Sequence, residues 1–215
     1  IWAEIDAEFA AQCLTAAERA WDAAQQFPEQ FAGAVPGNGG GNYPDEGVRD
    51  EFYWAAAELF VTTGKEEYRQ YVVESSQFQA VPQASASMNW SDTTALGTIT
   101  LALVPNGLDP AEIEGARENI VKAADWYLAV LEREGYRMPI LDFEGGSNSA
   151  VLNNMMIMGL AYEFTGDQRY LDGMTESLDY LLGRNPLNRS YVSGYGEVAM
   201  ENPHHRFWAN DPTNG

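Results

Sequence analysis

The segments Glu58-Leu-Phe-Val-Thr-Thr-Gly-Lys-Glu-Glu-Tyr68 and Ala161-Tyr-Glu-Phe-Thr-Gly-Asp-Gln-Arg-Tyr170 share a Thr-Gly-x-x-x-Tyr core, Thr63 to Tyr68 matching Thr165 to Tyr170. An internal repeat restricts the fold more than any composition figure, because the same unit must form twice and stack. In each copy an apolar helix is expected to end at the glycine, which takes a left-handed conformation, and a second helix to begin at once with its tyrosine packing back. Each copy is therefore read as a helical hairpin. The turn Pro105-Asn-Gly-Leu-Asp-Pro110 fits the same scheme, with Asp109 as N-cap, Pro110 at the first helical position and Glu112 completing a capping box.

The helices before these turns differ from those after them. Residues about 50–62, 93–104 and 148–164 are apolar or small on nearly all sides, as helices buried all round must be. Residues about 66–76, 110–132 and 168–182 carry one apolar stripe, for example Ile113, Ala116, Ile120, Ala124, Tyr127 and Leu131, with charges elsewhere. Alternating inner and outer helices, preceded by an amphipathic helix at about 6–25, predict an all-α toroid whose loops at one end form a cleft. No strand pattern stands out. Three hairpins and a leading helix make about half of a six-hairpin barrel.

The 215 residues suffice for one globular domain with a sizeable core. A formal charge of −20 excludes phosphate backbones and anionic membrane surfaces as partners, since both need Lys/Arg clusters. Neutral ligands stay open. The single cysteine, Cys13, allows no internal disulfide and is expected to be a small buried hydrophobe beside Phe9, Ala16 and Ala17. No apolar run approaches the ~20 residues that span a bilayer, and residues 1–12 lack the basic and apolar regions of a signal peptide. The sequence carries no address.

The loop Gly37-Asn-Gly-Gly-Gly-Asn-Tyr-Pro-Asp-Glu-Gly-Val-Arg-Asp-Glu51 leads into the first inner helix. It lacks the Gly-Lys-Ser/Thr of a phosphate loop. Its carboxylates Asp45, Glu46, Asp50 and Glu51 either supply hard oxygens to calcium or serve as solvated acids at a helix N-terminus. Loop aromatics, among them Tyr43, Trp90, Phe143, Tyr191, Tyr195, Phe207 and Trp208, are either sugar-stacking platforms or core. In Gly145-Gly-Ser-Asn-Ser149 the polar residues are expected to cap the helix at 148.

Both histidines fall in one place: Tyr191-Val-Ser-Gly-Tyr-Gly196 is followed by Pro203-His204-His205-Arg206. A glycine-and-aromatic loop directly after a helix is where binding residues sit on a rigid scaffold. The whole run from Leu182-Gly-Arg-Asn-Pro through Arg206 closely resembles the C-terminal signature of glycosidase family 9, the cellulase family built on an (α/α)6 barrel. The resemblance implies a β-1,4-glucan hydrolase acting by inversion on cellulose or a related β-glucan, and a secreted one. It implies that His204 bonds a glucosyl hydroxyl and that Arg206 does the same or orients the acid; Tyr191 and Trp208, as aromatics neighbouring this motif, are candidate substrate contacts beside them. It also implies a structural calcium held by the carbonyls of Glu46 and Gly47, the Asp50-Glu51 pair, and Asp92 before the next inner helix.

An inverting glycosidase needs one carboxylic acid and one carboxylate across the scissile bond. The family's Asp-Ala-Gly-Asp and Asn-Glu motifs, which supply base and acid, do not occur in the sequence. Residues 1–215 are therefore expected to be the central to C-terminal part of one catalytic domain, with the remaining parts of that domain as partners. Three alternatives remain: a non-catalytic, calcium-stabilised helical fragment that binds glycans or completes a partner; an exo-acting cellobiohydrolase or glucosaminidase; and catalysis by Asp142 and Glu144. Two positions depart from the family pattern. Val198 stands where Asn, Lys or Arg is usual, and Gly145 where many members have Trp.

Overall fold

The computed structural model describes residues 2–31, 45, 47–143 and 145–202. A 3-10 turn, Trp2–Glu4, leads into α1 (Ala7–Gln26), α2 (Arg49–Thr63), α3 (Glu66–Glu74), α4 (Thr94–Leu103), α5 (Pro110–Arg133), α6 (Ser147–Thr165) and α7 (Gln168–Leu182). Among the described residues there are no strands, and the only bridges are the isolated pairs Asn89–Asp92 and Ser190–Ala199. Neighbouring helices pack in chain order, α2 on α3 and α4, α4 on α5, α5 on α6 and α6 on α7.

The repeat does what its residues dictate. Gly64 and Gly166 adopt φ of 67° and 69°, and their N–H groups donate to Phe60 O and Tyr162 O. The preceding threonine adds a second device in both copies. Thr63 Oγ1 donates to Leu59 O (2.7 Å) and accepts from Lys65 N (3.2 Å), while Thr165 Oγ1 donates to Ala161 O (2.7 Å) and accepts from Asp167 N (3.1 Å). Each hydroxyl thus links the end of one helix to the start of the next. Tyr68 and Tyr170 are buried, the first edge-on to Trp21 and the second donating to Asp125 Oδ1 at 2.9 Å. The third turn closes as a capping box, Glu112 Oε2 accepting from Asp109 N at 2.9 Å. Asp109→Ala removes the cap and is expected to destabilise by about 1 kcal/mol, read in a urea melt.

The stripe on α5 faces the core as its spacing requires: Ala116, Ile120, Ala124, Tyr127 and Leu131 are buried, and Ile113 packs against the smaller cluster from a half-buried position. Gly97 permits a close approach of α4 to α2, since a Cβ there would stand 2.6 Å from Tyr53 Cε1. The Tyr53 hydroxyl in turn accepts from Gln79 N (3.1 Å) and pairs with Thr98 Oγ1 (3.1 Å), which donates to Ala80 O.

Three expectations are corrected. Cys13 is exposed, because only Trp21 of α1 is buried and the small-residue face bearing Cys13 lines an open groove against α2. The helix after Gly146 is not capped by a side chain: Gly146 turns the chain at φ 89°, and Ser149 Oγ donates back to Gly146 O at 2.7 Å. The inner helix α6 is not covered on every side by described residues, since Leu152 and Met156, one turn apart, are about half exposed.

Candidate active-site face

Short turns and long loops segregate to opposite ends. Residues 64–65, 104–109 and 166–167 join each inner helix to its outer partner, so the segments 75–93, 134–146 and 183–202 all emerge at the end where α4 and α6 begin. The N-terminus of α2 lies at the same end by the alternation of helix direction. Long loops on a helical scaffold are where a binding face is built. Trp90, Phe143 and Tyr195, on three of these loops, are 56%, 57% and 60% exposed.

Tyr191 is half-buried and edge-on to Tyr180, with ring centroids 5.8 Å apart, and its N–H donates to Leu181 O at 2.8 Å. These contacts return the loop after α7 onto that helix. A second fastening follows, Ser190 N donating to Val198 O and Met200 N to Ser190 O, both at 2.8 Å. Gly196 passes close by, where a Cβ would lie 3.3 Å from Ser190 Cβ. The loop is therefore a formed structure up to the histidine segment. His204, His205, Arg206, Phe207 and Trp208 lie outside the described residues, as do Glu46, Tyr43 and Glu144.

The acidic residues converge at the start of α2. Asp50 is buried, and its Oδ2 accepts from Thr93 N (2.6 Å) and Thr93 Oγ1 (3.1 Å), tying the start of α2 to the start of α4. Asp92 Oδ1 accepts from Thr94 N at 3.0 Å, and Asp45 Oδ1 from Gly47 N at 2.8 Å. Two buried oxygens, Asp45 Oδ2 and Glu51 Oε2, have no hydrogen-bond partner. Burial, followed by smaller contributions from a hydrogen bond to Asp50 and the charges of Asp50 and Asp45, pushes the Glu51 carboxyl up to about 7 from 4.5. Unpartnered carboxylate oxygens aimed among like charges are what a hard cation would satisfy. The donor set fits one, although among the described residues no three His, Cys, Asp or Glu side chains already stand in metal-binding arrangement.

Asn153 and Asn154 of α6 escaped the sequence reading. Asn154 is fully buried and Asn153 half-buried, and both bond the backbone of the long loops. Two adjacent amides between the apolar runs 150–152 and 155–161 were the available signal.

Helical hairpins with the described long loops on one face define an (α/α)6-barrel protein, and a solved endoglucanase of glycoside hydrolase family 9 superposes with a TM-score of 0.85 at 28% identity, covering 97% of this chain and 39% of that one. The chain belongs to that family: the sequence model of glycosyl hydrolase family 9 matches residues 1–215. It is 48% identical to a cellulose 1,4-beta-cellobiosidase of Acetivibrio thermocellus over 97% of this chain and 26% of the relative. It is 40% identical to endoglucanase C of Cellulomonas fimi over 97% of this chain and 19% of the relative. The chain thus spans about a quarter or less of the length of these relatives.

Proposed function

We propose that residues 1–215 form the central to C-terminal part of one family 9 catalytic domain that hydrolyses β-1,4-glucosidic bonds in cellulose or a related β-glucan. The observation that carries this reading is the family match over the whole chain, combined with a loop face that presents aromatic side chains to solvent. The apolar faces of exposed rings suit the axial C–H surfaces of glucosyl units. Hydrolysis proceeds with inversion, an aspartate base activating water and a glutamate acid protonating the leaving oxygen, neither of them in this chain. This chain supplies substrate contacts: His204 bonds a glucosyl hydroxyl, Arg206 bonds another or orients the acid, and Tyr191 and Trp208 flank them. A neutral sugar hydroxyl bond contributes about 1 kcal/mol, so His204→Ala is expected to lower kcat/KM on cello-oligosaccharides by about fivefold. An unchanged value would remove His204 from the site.

Calcium is proposed as a structural ion held by the carbonyls of Glu46 and Gly47 with Asp50, Glu51 and Asp92. It supplies positive charge that fixes the starts of α2 and α4, which carry the loop face. The groove of about 1130 Å³ between α1 and α2, lined by residues such as Ala10, Cys13, Leu14 and Phe52, is proposed to receive the remaining helices of the domain. Reducing-sugar release from carboxymethyl cellulose tests the whole reading. Activity is expected when the chain is joined to the upstream and downstream parts of the catalytic domain, and full activity of the chain alone would place the catalytic carboxylates within it.

The 48% identity to a cellobiosidase favours a second reading of the product, release of cellobiose from chain ends. A slow fall in viscosity with cellobiose as the main product supports exo action; a rapid fall supports endo action. We further propose secretion, in keeping with the acidic composition and the substrate's location; recovery of the protein only inside cells would contradict it. Among the described residues no helix is long and apolar enough to cross a membrane.

A further inference from the structure

We propose that Asn154 is a positioning residue, whose buried side chain, aided by Asn153, sets the spacing of the two loops that carry Trp90 and Phe143 on the substrate face. The inference rests on the glucan-binding reading of that face. Asn154 is 0% exposed on the side of α6 that otherwise buries Val151, Met155, Ile157 and Met158. A buried carboxamide is unfavourable unless its donors and acceptor are met. Here both ends are met, and every partner is loop backbone. Oδ1 accepts from Ser87 N at 2.8 Å, and Nδ2 donates to Ser85 O at 2.9 Å and Pro139 O at 2.8 Å.

One side chain therefore joins the loop after α3 to the loop after α5. Asn153 adds a bond from Nδ2 to Met88 O at 2.8 Å. Ser85 then locks the loops to each other directly: its Oγ accepts from Leu141 N (3.2 Å) and Asp142 N (2.9 Å). Both loops lack a ladder of their own, so their buried backbone groups depend on these partners. The latch points lie immediately before the exposed rings, Met88 two residues ahead of Trp90 and Asp142 one ahead of Phe143. Losing the Asn154 bonds frees that spacing while leaving the apolar packing of α6 in place. Sites held an ångström too loosely lose function without losing their fold.

The test uses the protein at its native length and compares Asn154→Leu, Asn153→Ala and a core control, Ile157→Ala, by calorimetric titration with cellohexaose and by thermal melting. The control is expected to melt lower with a Kd within about twofold of the parent, because it removes apolar packing one turn further along α6 and no hydrogen bond to the loops. Asn154→Leu is expected to raise Kd by about tenfold or more at a temperature where it is fully folded, and Asn153→Ala by about threefold. An unchanged Kd in a folded Asn154→Leu overturns the inference, as does an equal loss of affinity in Ile157→Ala. If Asn154→Leu does not fold, Asn153→Ala decides, and an unchanged Kd overturns the inference. A parent protein that fails to bind cellohexaose overturns the glucan reading and the inference with it, whereas a binding parent with indifferent asparagine variants removes the inference alone.

Discussion

Gly97→Val is expected to destabilise the protein by more than ~3 kcal/mol and Gly97→Ala by about 1–2 kcal/mol, because α4 crosses α2 at a point where there is no room for a side chain. A Cβ at Gly97 would meet Tyr53 Cε1 at 2.6 Å, Tyr53 Cδ1 at 2.7 Å and the Trp54 backbone at 3.3 Å. The Tyr53 ring cannot step aside cheaply, being fully buried with its hydroxyl engaged by Gln79 N and Thr98 Oγ1. Alanine regains about 1 kcal/mol of helix propensity over glycine, which offsets part of the clash. Valine adds two further methyl groups and less propensity. In a chain of this size ~3 kcal/mol corresponds to a melting temperature lower by roughly 6–12 °C, so a thermal scan suffices. An alanine variant as stable as the parent would mean that α4 slides on α2 without loss.

Gly64 makes the contrast that locates this effect. Nothing lies within 4 Å of a Cβ there, and the constraint is its φ of 67° alone. Asparagine tolerates that conformation, so Gly64→Asn is expected to cost little where Gly97→Asn is not tolerated. Sequence spacing identified Gly64 through the repeat but gave no sign of Gly97, since close approach depends on which ring the facing helix presents. The same division runs through the molecule. Hairpins, the Asp109–Glu112 capping box and the α5 stripe were legible because they arise from residues within a few positions of each other. The Asn154 latch was not, because its partners Ser87 and Ser85 are 67 and 69 residues away and are backbone groups that any residue would offer. Cys13 misled for a related reason: alanines around it mark an apolar face, but not what covers that face.

The carboxylates at the start of α2 show how sequence and structure divide the site. The sequence set Asp45, Asp50 and Glu51 within one short stretch, and either a helix cap or a cation site was consistent with that. The structure spends Asp50 on Thr93 and leaves Asp45 Oδ2 and Glu51 Oε2 buried without partners. In the metal-free protein Glu51 therefore holds its proton up to about 7, principally because burial disfavours its charge. Since its folded value exceeds the unfolded value of about 4.5, the folded state binds the extra proton between those pH values. Stability from this group is fully present below about 4.5 and is lost as pH rises through about 7. Partial access of solvent to the half-buried carboxyl reduces the effect to about 1–2 kcal/mol.

The proposed calcium is expected to reverse that slope. A divalent cation between the carboxylates favours their ionised forms, so with calcium present stability is expected to be flat or to rise from pH 5 to about 7, and chelation restores the fall. At a calcium concentration ~100 times Kd the ion adds about 2.7 kcal/mol at neutral pH. Removal of the proposed calcium above pH 7 is therefore expected to lower the melting temperature by several degrees. Thermal melts at pH 5 and 7.5, each with calcium and with chelator, check both signs. Glu51→Gln separates them: it removes the proton-linked slope of the metal-free protein and weakens calcium's effect. Identical melts in all four conditions, with no heat on calcium titration, would leave the carboxylates as a helix-terminal cluster and nothing more.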